Sequence, residues 1–574
     1  MNMRERILQA EAAGTLPEAL AAIPYDQLDS AAEVVADLHN RGRINFLAFC
    51  ESPSLASGPD HSFFALQETF CRALPRIDCS AEAASNACNA LSKKAGTETP
   101  PFSIYSALSE WIRQSPARAD ETLALIHRDI DAHAQLVNPV LLAGATHDVV
   151  KYVEQALAFS EHPESNIRSN AVFALGQIVP TDDKTLLNRA LDRFNDLIED
   201  PGSDEEAPIA VDAALHILQR GGVQFVSAVE PLIVRACKKT APPIRRTLAY
   251  GLFNRRHLYS AAMIDATLAA LQRTDKQDIH TIKAIDSMLY HWDLDVDRTR
   301  VLSFLVNFLT SSDEAPTIDS LSDFKHKLSN EKGCVLGWYA VSLLLTGDQR
   351  LSMAASHLLP YNQTRDGLDI DLAAFSLSSP RIMFLARKIL GYCLVKKEAT
   401  AALLLSCLRA IPEPERAQLE HLVFGYFLIN YLSAIEWFEG VISSIDPARQ
   451  SIERLSQHVA SYVNDLERTG LCPAFAPSER ERQIQGYRLA DSWRSLHKKA
   501  EQGSLLSILA HKSTILYGTA SIAYVYRDAS SDPERQEIAM ASFEHSAEIP
   551  RLEAIDPVGL HHALFRFRIE NPPT

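Results

Sequence analysis

From the start of the chain to about residue 500, apolar residues recur at three- and four-residue intervals, and short runs of Pro, Gly, Asp or Ser interrupt them. That spacing buries one stripe of a helix, so this part reads as short helices joined by turns. The pattern predicts helices over residues 3–13, 30–40, 61–73, 81–92 and 104–113, with the polar stretch 96–101 as a boundary and no visible repeat. After residue 510 the period changes. LFRFRIE at 564–570 alternates Phe565, Phe567 and Ile569 with Arg566, Arg568 and Glu570, which is strand spacing. SIAYVYR (521–527) and RQEIAMASFEH (535–545) are rich in β-branched and aromatic residues, and DASSDPE (528–534) between them has turn composition. Residues 511–574 therefore predict a small β-rich module, and residues 446–510 long polar helices with CPAFAPSE (472–479) as a loop.

In the middle of the chain the stripes repeat. SNIRSNAVFALGQI (165–178) sets Ile167, Ala171, Ala174, Leu175 and Gly176 at the offsets that SPRIMFLARKILGYC (379–393) gives to Ile382, Ala386, Ile389, Leu390 and Gly391. Shorter copies carry Ile209, Ala213 and Ile217, then Ile244, Leu248 and Leu252, so successive anchors stand 42 and 35 residues apart, a helix-pair period. Asn166-Ile167-Arg168 followed by Ala171 and Ala174-Leu175-Gly176 resembles the second helix of a HEAT repeat, close to the armadillo family, over about residues 140–440. The basic residue after the anchor is Arg168 and Arg245, but Ala210 in the copy between. Tetratricopeptide and ankyrin signatures are absent. The resemblance implies a curved α-solenoid of antiparallel helix pairs that binds partners and is not a catalyst. The expected fold is mainly α: an N-terminal helical region (1–100), HEAT-like repeats (101–445), polar helices (446–510) and the β-rich module (511–574).

Composition narrows the class. The 574 residues are 47% apolar and 22% charged, ordinary globular values, and 56 Lys plus Arg against 72 Asp plus Glu give a net charge of −16. Such a balance excludes a surface built throughout for nucleic acid, so any polyanion contact is local. Nine dispersed cysteines without a C-x-x-C pair fit reduced thiols. No apolar run precedes a cleavage site, and the longest uncharged run, residues 422–435, falls short of the roughly 20 residues that span a bilayer. The expected compartment is cytoplasmic, with no membrane contact.

The candidate chemistry is thin. IHRDIDAH (126–133) places His127/Asp131 and Asp129/His133 four residues apart on a helix, a two-ligand spacing, but no third ligand accompanies them; its HRD triplet has no Asn at the kinase catalytic-loop position. HWDLDVDR (291–298) has the alternating Asp293, Asp295 and Asp297 of a calcium loop, yet Arg298 stands in place of Gly and Phe304 in place of the bidentate Glu. EDPGSDEE (199–206) reads as a solvated loop. His545, His561 and His562, with Glu544, form an alternative acid-base or metal cluster in the C-terminal module. No nucleophile elbow, P-loop, dinucleotide fingerprint or H-E-x-x-H occurs, and no cofactor or metal is implied.

One segment contradicts the acidic balance. RACKKTAPPIRRTLAYGLFNRRH (235–257) holds seven Lys or Arg and no acid. Two readings stand: ladders that tie one repeat to the acids of the next, or an anion-binding face made by Arg235, Lys238, Lys239, Arg245, Arg246 and Arg256. Arg255, continuing the stripe of Ile244, Leu248 and Leu252, is read as structural. The functional expectation is a scaffold or adaptor that binds another protein, one with an acidic surface, or locally a polyanion. Its alternatives are an enzyme with its site in or beside the C-terminal module, and a subunit of a bacterial defence or conflict complex.

Overall fold

The apolar stripes that the spacing marks out at Ile167, Ile244 and Ile382 lie on helices and are buried, and so are Ala213 and Ile217 of the copy between, whose anchor Ile209 is half-buried. The computed structural model describes residues 3–52, 61–95, 102–200, 205–331, 334–360, 368, 370–469, 477–502, 520–525, 534–539 and 548–573. The chain is mainly helical and divides into two compact units, residues 1–343 with 350–358, and residues 344–349 with 359–574.

In the first unit, eleven helices from residue 137 carry the argument: α1 (Val137–Gly144), α2 (Val149–Phe159), α3 (Ser165–Ile178), α4 (Lys184–Glu199), α5 (Glu206–Gly221), α6 (Val226–Ala236), α7 (Pro242–Arg255), α8 (Ala261–Leu271), α9 (Ile279–Tyr290), α10 (Arg298–Thr310) and α11 (Ser322–Asn330). The odd-numbered helices pack in sequence, α1 on α3 and so on to α11, and the even-numbered ones form a second row, α2 through α10. The odd row continues toward the N-terminus through Phe102–Arg113, His61–Ala73 and Leu28–Asn40, where no sequence repeat is visible. Side chains start these helices. Asp148, Asp183, Ser260 and Asp278 each accept a backbone N–H in the first turn of α2, α4, α8 and α9, about 1 kcal/mol apiece.

Neighbouring helices of the odd row are joined by polar contacts as well as apolar ones. Glu206 at the head of α5 is buried and accepts from Arg168 of α3 through Nε at 2.9 Å and Nη2 at 2.5 Å. Asp286 of α9, also buried, accepts the backbone N–H of Asp323 at 3.0 Å and of Phe324 at 2.8 Å, so it caps α11 from the adjacent helix. Each joint satisfies a charge that would otherwise be stranded in the core.

The second unit contains α12 (Ser379–Cys393), α13 (Lys397–Ala410), α14 (Glu413–Val423), α15 (Ala434–Val441), α16 (Arg449–Thr469), α17 (Glu479–Gln502), α18 (Arg551–Ile555) and α19 (Pro557–Ile569). A π-helical turn, Phe424–Leu428, follows α14 within the 422–435 run, and no helix among the described residues is long and apolar enough to cross a membrane. One antiparallel ribbon, β1 (Ala520–Val525) with β2 (Glu534–Ala539), is the only sheet among the described residues.

The expected C-terminal β-rich module is corrected here. Residues 564–570 are not a strand: all but Glu570 belong to α19, which returns to pack on α12. Three clamps hold the returning segment. Asn430 accepts the N–H of Leu552 on Oδ1 at 2.9 Å and that of Arg551 on its carbonyl at 3.2 Å. Lys397 reaches Glu548 at 2.7 Å. Arg387 of α12 grips Glu570 with two bonds of 2.6 Å, and buried Lys388 donates to the Arg568 carbonyl at 2.7 Å. A cation at the C-terminal end of α19 complements its macrodipole; burial pulls the Lys388 amine below the usual lysine range, against the pull of Glu570.

Candidate functional site

The basic segment spans the end of α6, the turn at 237–241, α7 and the 3-10 turn Arg256–Leu258. Arg235 pairs with Glu199 at 2.5 Å, and Lys239 donates to the Glu199 carbonyl at 3.1 Å. Arg245 is buried and donates to the Arg273 carbonyl at 2.9 Å. Arg256 lies beyond the end of α7, pairs with Asp297 at 2.6 Å and stacks over Trp292 at 4.2 Å. Arg245 and Arg256 therefore do not share an exposed side. Of the six candidates, Lys238 and Arg246 alone have no side-chain partner among the described residues. Arg255 holds Asp212 at 2.9 Å and Gln219 at 2.8 Å on α5. The partners stand 28 to 43 residues away in the chain, the separations of adjacent helix pairs, so most of this charge ties one pair to the next. The acidic stretch shares in this: Glu199 takes Arg235, Glu206 takes Arg168, and Glu205 accepts from Ser165 at 2.7 Å, while residues 201–204 lie outside the described residues.

The remaining motifs resolve into local structure. His127 faces Gln155 at 2.9 Å; the Asp129 carboxylate accepts the Ala132 N–H while its backbone carbonyl lies 2.9 Å from His133 Nδ1, so the Asp129/His133 pair meets through backbone and not as two side-chain ligands. Asp293 accepts the N–H groups of Asp295 and Val296 as a turn, and Asp297 belongs to Arg256. His561 and His562 are exposed on α19, where His561 contacts Glu553 at 3.1 Å, and His545 and Glu544 lie outside the described residues. Among the described residues no three His, Cys, Asp or Glu gather as a metal site.

Burial also silences the thiols. It pushes Cys71, Cys79 and Cys237 up to about 11 and raises Cys50, Cys88 and Cys407 further. At about pH 7.5 these six carry almost no thiolate, the nucleophilic form. Iodoacetamide on the native chain should leave Cys50, Cys88 and Cys407 unmodified by peptide mass spectrometry, and full labelling should appear only in denaturant.

A row that no motif announces runs across the odd helices. The Phe173 ring of α3 meets His216 of α5 edge-on at 6.1 Å, and His216 touches Arg255 of α7 at 3.2 Å. Phe253 of α7 meets His291, just past α9, at 4.7 Å; His291 touches Tyr290 at 5.3 Å, and Lys327 of α11 lies 6.0 Å from the Tyr290 ring. Phe173, His216, Phe253 and Arg255 are half-buried; Tyr250, Tyr290 and His291 are exposed. Rings with one side packed and one side open, edged by cations, offer contact area at low entropy cost. The signal in sequence was faint: Phe173 and His216 stand at offsets +6 and +7 from Ile167 and Ile209, but Phe253 stands at +9 from Ile244.

No protein-family model matches the chain, and no curated protein matches it.

Proposed function

We propose that the protein is a non-catalytic scaffold or adaptor of the HEAT-like α-solenoid kind, which binds another protein along the odd-numbered row of the first unit. The observation that carries the reading is the series of pairwise contacts between aromatic, imidazole and guanidinium groups that links α3 to α5, α5 to α7, α7 to the end of α9, and α9 to α11. Helices that each touch only their neighbours spread such a surface without needing a closed core. Two-row packing and the recurrent stripes at Ile167, Ile209, Ile244 and Ile382 support the repeat reading. Exposed Lys238 and half-buried Arg246, the two cations without a side-chain partner among the described residues, are the part of the basic segment open to an acidic partner.

The test is paired capture by the full chain and by a Phe173→Ala/Phe253→Ala/Tyr290→Ala variant. The wild type is expected to retain one protein near stoichiometry and the variant at least about tenfold less, because truncating central aromatic anchors costs roughly 1.4 kcal/mol or more. Lys238→Glu/Arg246→Glu should weaken the same capture more at low salt than at high. Equal retention by the aromatic variant would withdraw the surface.

A further inference from the structure

The helix α19 carries apolar side chains on two opposite sides. At 3.6 residues per turn, Leu560, Leu564 and Phe567 fall together on the side that packs within the second unit, where Phe567 meets Tyr426 at 5.0 Å. Val558, His562, Phe565 and Ile569, spaced four, three and four residues apart, lie within roughly 60° of arc on the other side. Leu560 and Leu564 are 3% and 7% exposed, whereas Val558, Phe565 and Ile569 are 78%, 56% and 58% exposed. Single exposed apolar residues need no explanation, but an ordered row along one helix does.

One charge flanks this row: Arg566, exposed and without a side-chain partner among the described residues, while exposed His562 lies within the row. The nearby acids are committed elsewhere: Glu553 to His561, Glu570 to Arg387, and Asp556 to the Gly559 N–H that starts the helix. An apolar strip edged by a spare guanidinium complements a carboxylate-bearing apolar strip.

We propose that the outer face of α19 is a docking surface for an acidic protein segment, one that covers Val558, Phe565 and Ile569 with apolar side chains and sets a carboxylate against Arg566. A second copy fits poorly, because a two-fold contact through this face would bring Arg566 against its own counterpart. An anionic bilayer fits poorly too: the chain carries −16, and three apolar side chains are few for an interfacial helix. The surface belongs wholly to the second unit and does not rest on the repeat reading of the first.

The experiment selects random dodecamer peptides displayed on phage against the full chain, with a Phe565→Ser/Ile569→Ser chain for subtraction. Both substituted residues are exposed, and circular dichroism melting verifies that the variant folds. The expected consensus interleaves Asp or Glu with Leu, Ile or Phe. A synthetic peptide of that consensus should bind the wild type by fluorescence anisotropy, at least about tenfold more weakly to the double variant and to Arg566→Glu, and more weakly as NaCl rises from about 50 to 500 mM. The proposal is overturned if no peptide is enriched over the variant, or if the consensus is basic or uncharged. It is equally overturned if wild type alone binds phosphatidylserine vesicles, or forms a dimer that the double variant does not.

Discussion

Gly176→Val should destabilise the odd-numbered row, lowering the first unfolding transition of the full chain by several degrees. A Cβ at Gly176 would lie 2.5 Å from the Ala213 Cα, 2.6 Å from its Cβ and 2.8 Å from its carbonyl oxygen. The obstruction is mostly backbone of α5, so no rotamer change relieves it. Two effects compete. Removing a helical glycine gains up to about 1 kcal/mol of propensity, while overpacking costs typically about 1–3 kcal/mol, more where the neighbour cannot move. The second wins, because α3 and α5 would have to part and uncover the apolar faces that join them. Even Gly176→Ala should destabilise. Gly440 of α15 is the control: nothing lies within 4 Å of its added Cβ, so Gly440→Ala should be neutral or stabilising by roughly 0.5–1 kcal/mol. Hydrogen exchange locates the effect, with faster exchange expected in α3 and α5 for the Gly176 variants. Unchanged exchange there would contradict the close packing of the two helices. A chain of this size need not unfold in one step, so the local readout carries more weight than a single melting temperature.

Gly176 also marks how far the sequence could be read. Its offset from Ile167 equals that of Gly391 from Ile382, and both glycines are sites of close approach. What approaches differs: Ala213 of the next odd-row helix in one case, Phe567 and Arg568 of the returning C-terminal helix in the other. Periodicity reports which face of a helix is buried, because burial imposes the 3.6-residue spacing. It does not report what covers that face, and a helix returning from nearly 180 residues away leaves no trace in the local pattern. The basic segment was ambiguous for the same reason. Seven cations without an acid look like a patch until Glu199, Asp212 and Asp297 arrive from other helices. LFRFRIE misled more directly. Its alternation came from a helix apolar on two opposite sides, so Phe567 and the pair Phe565 and Ile569, predicted to share one face, are about half a turn apart. The helical face of the candidate surface was legible in outline at Ile167, Ile209 and Ile244, but the ring-to-imidazole contacts that join its helices were not.

Arg168→Met should cost about 3–5 kcal/mol near neutral pH, the range for breaking a buried pair by removing one partner. The direction of the asymmetry comes from burial. Arg168 is partly exposed and also donates to the His162 carbonyl at 3.0 Å, whereas Glu206 is 1% exposed and has Arg168 on its Oε1. Removing the arginine therefore strands a carboxylate with neither water nor counter-charge. Urea titrations of wild type and variant measure the loss. The double variant Arg168→Met/Glu206→Leu separates the two causes: with both charges replaced by apolar groups of similar length, most of the loss should be recovered, since an apolar pair at a buried joint is often as stable as the ion pair it replaces. A double variant no more stable than Arg168→Met would mean that the loss comes from packing of the arginine stem and not from the stranded charge.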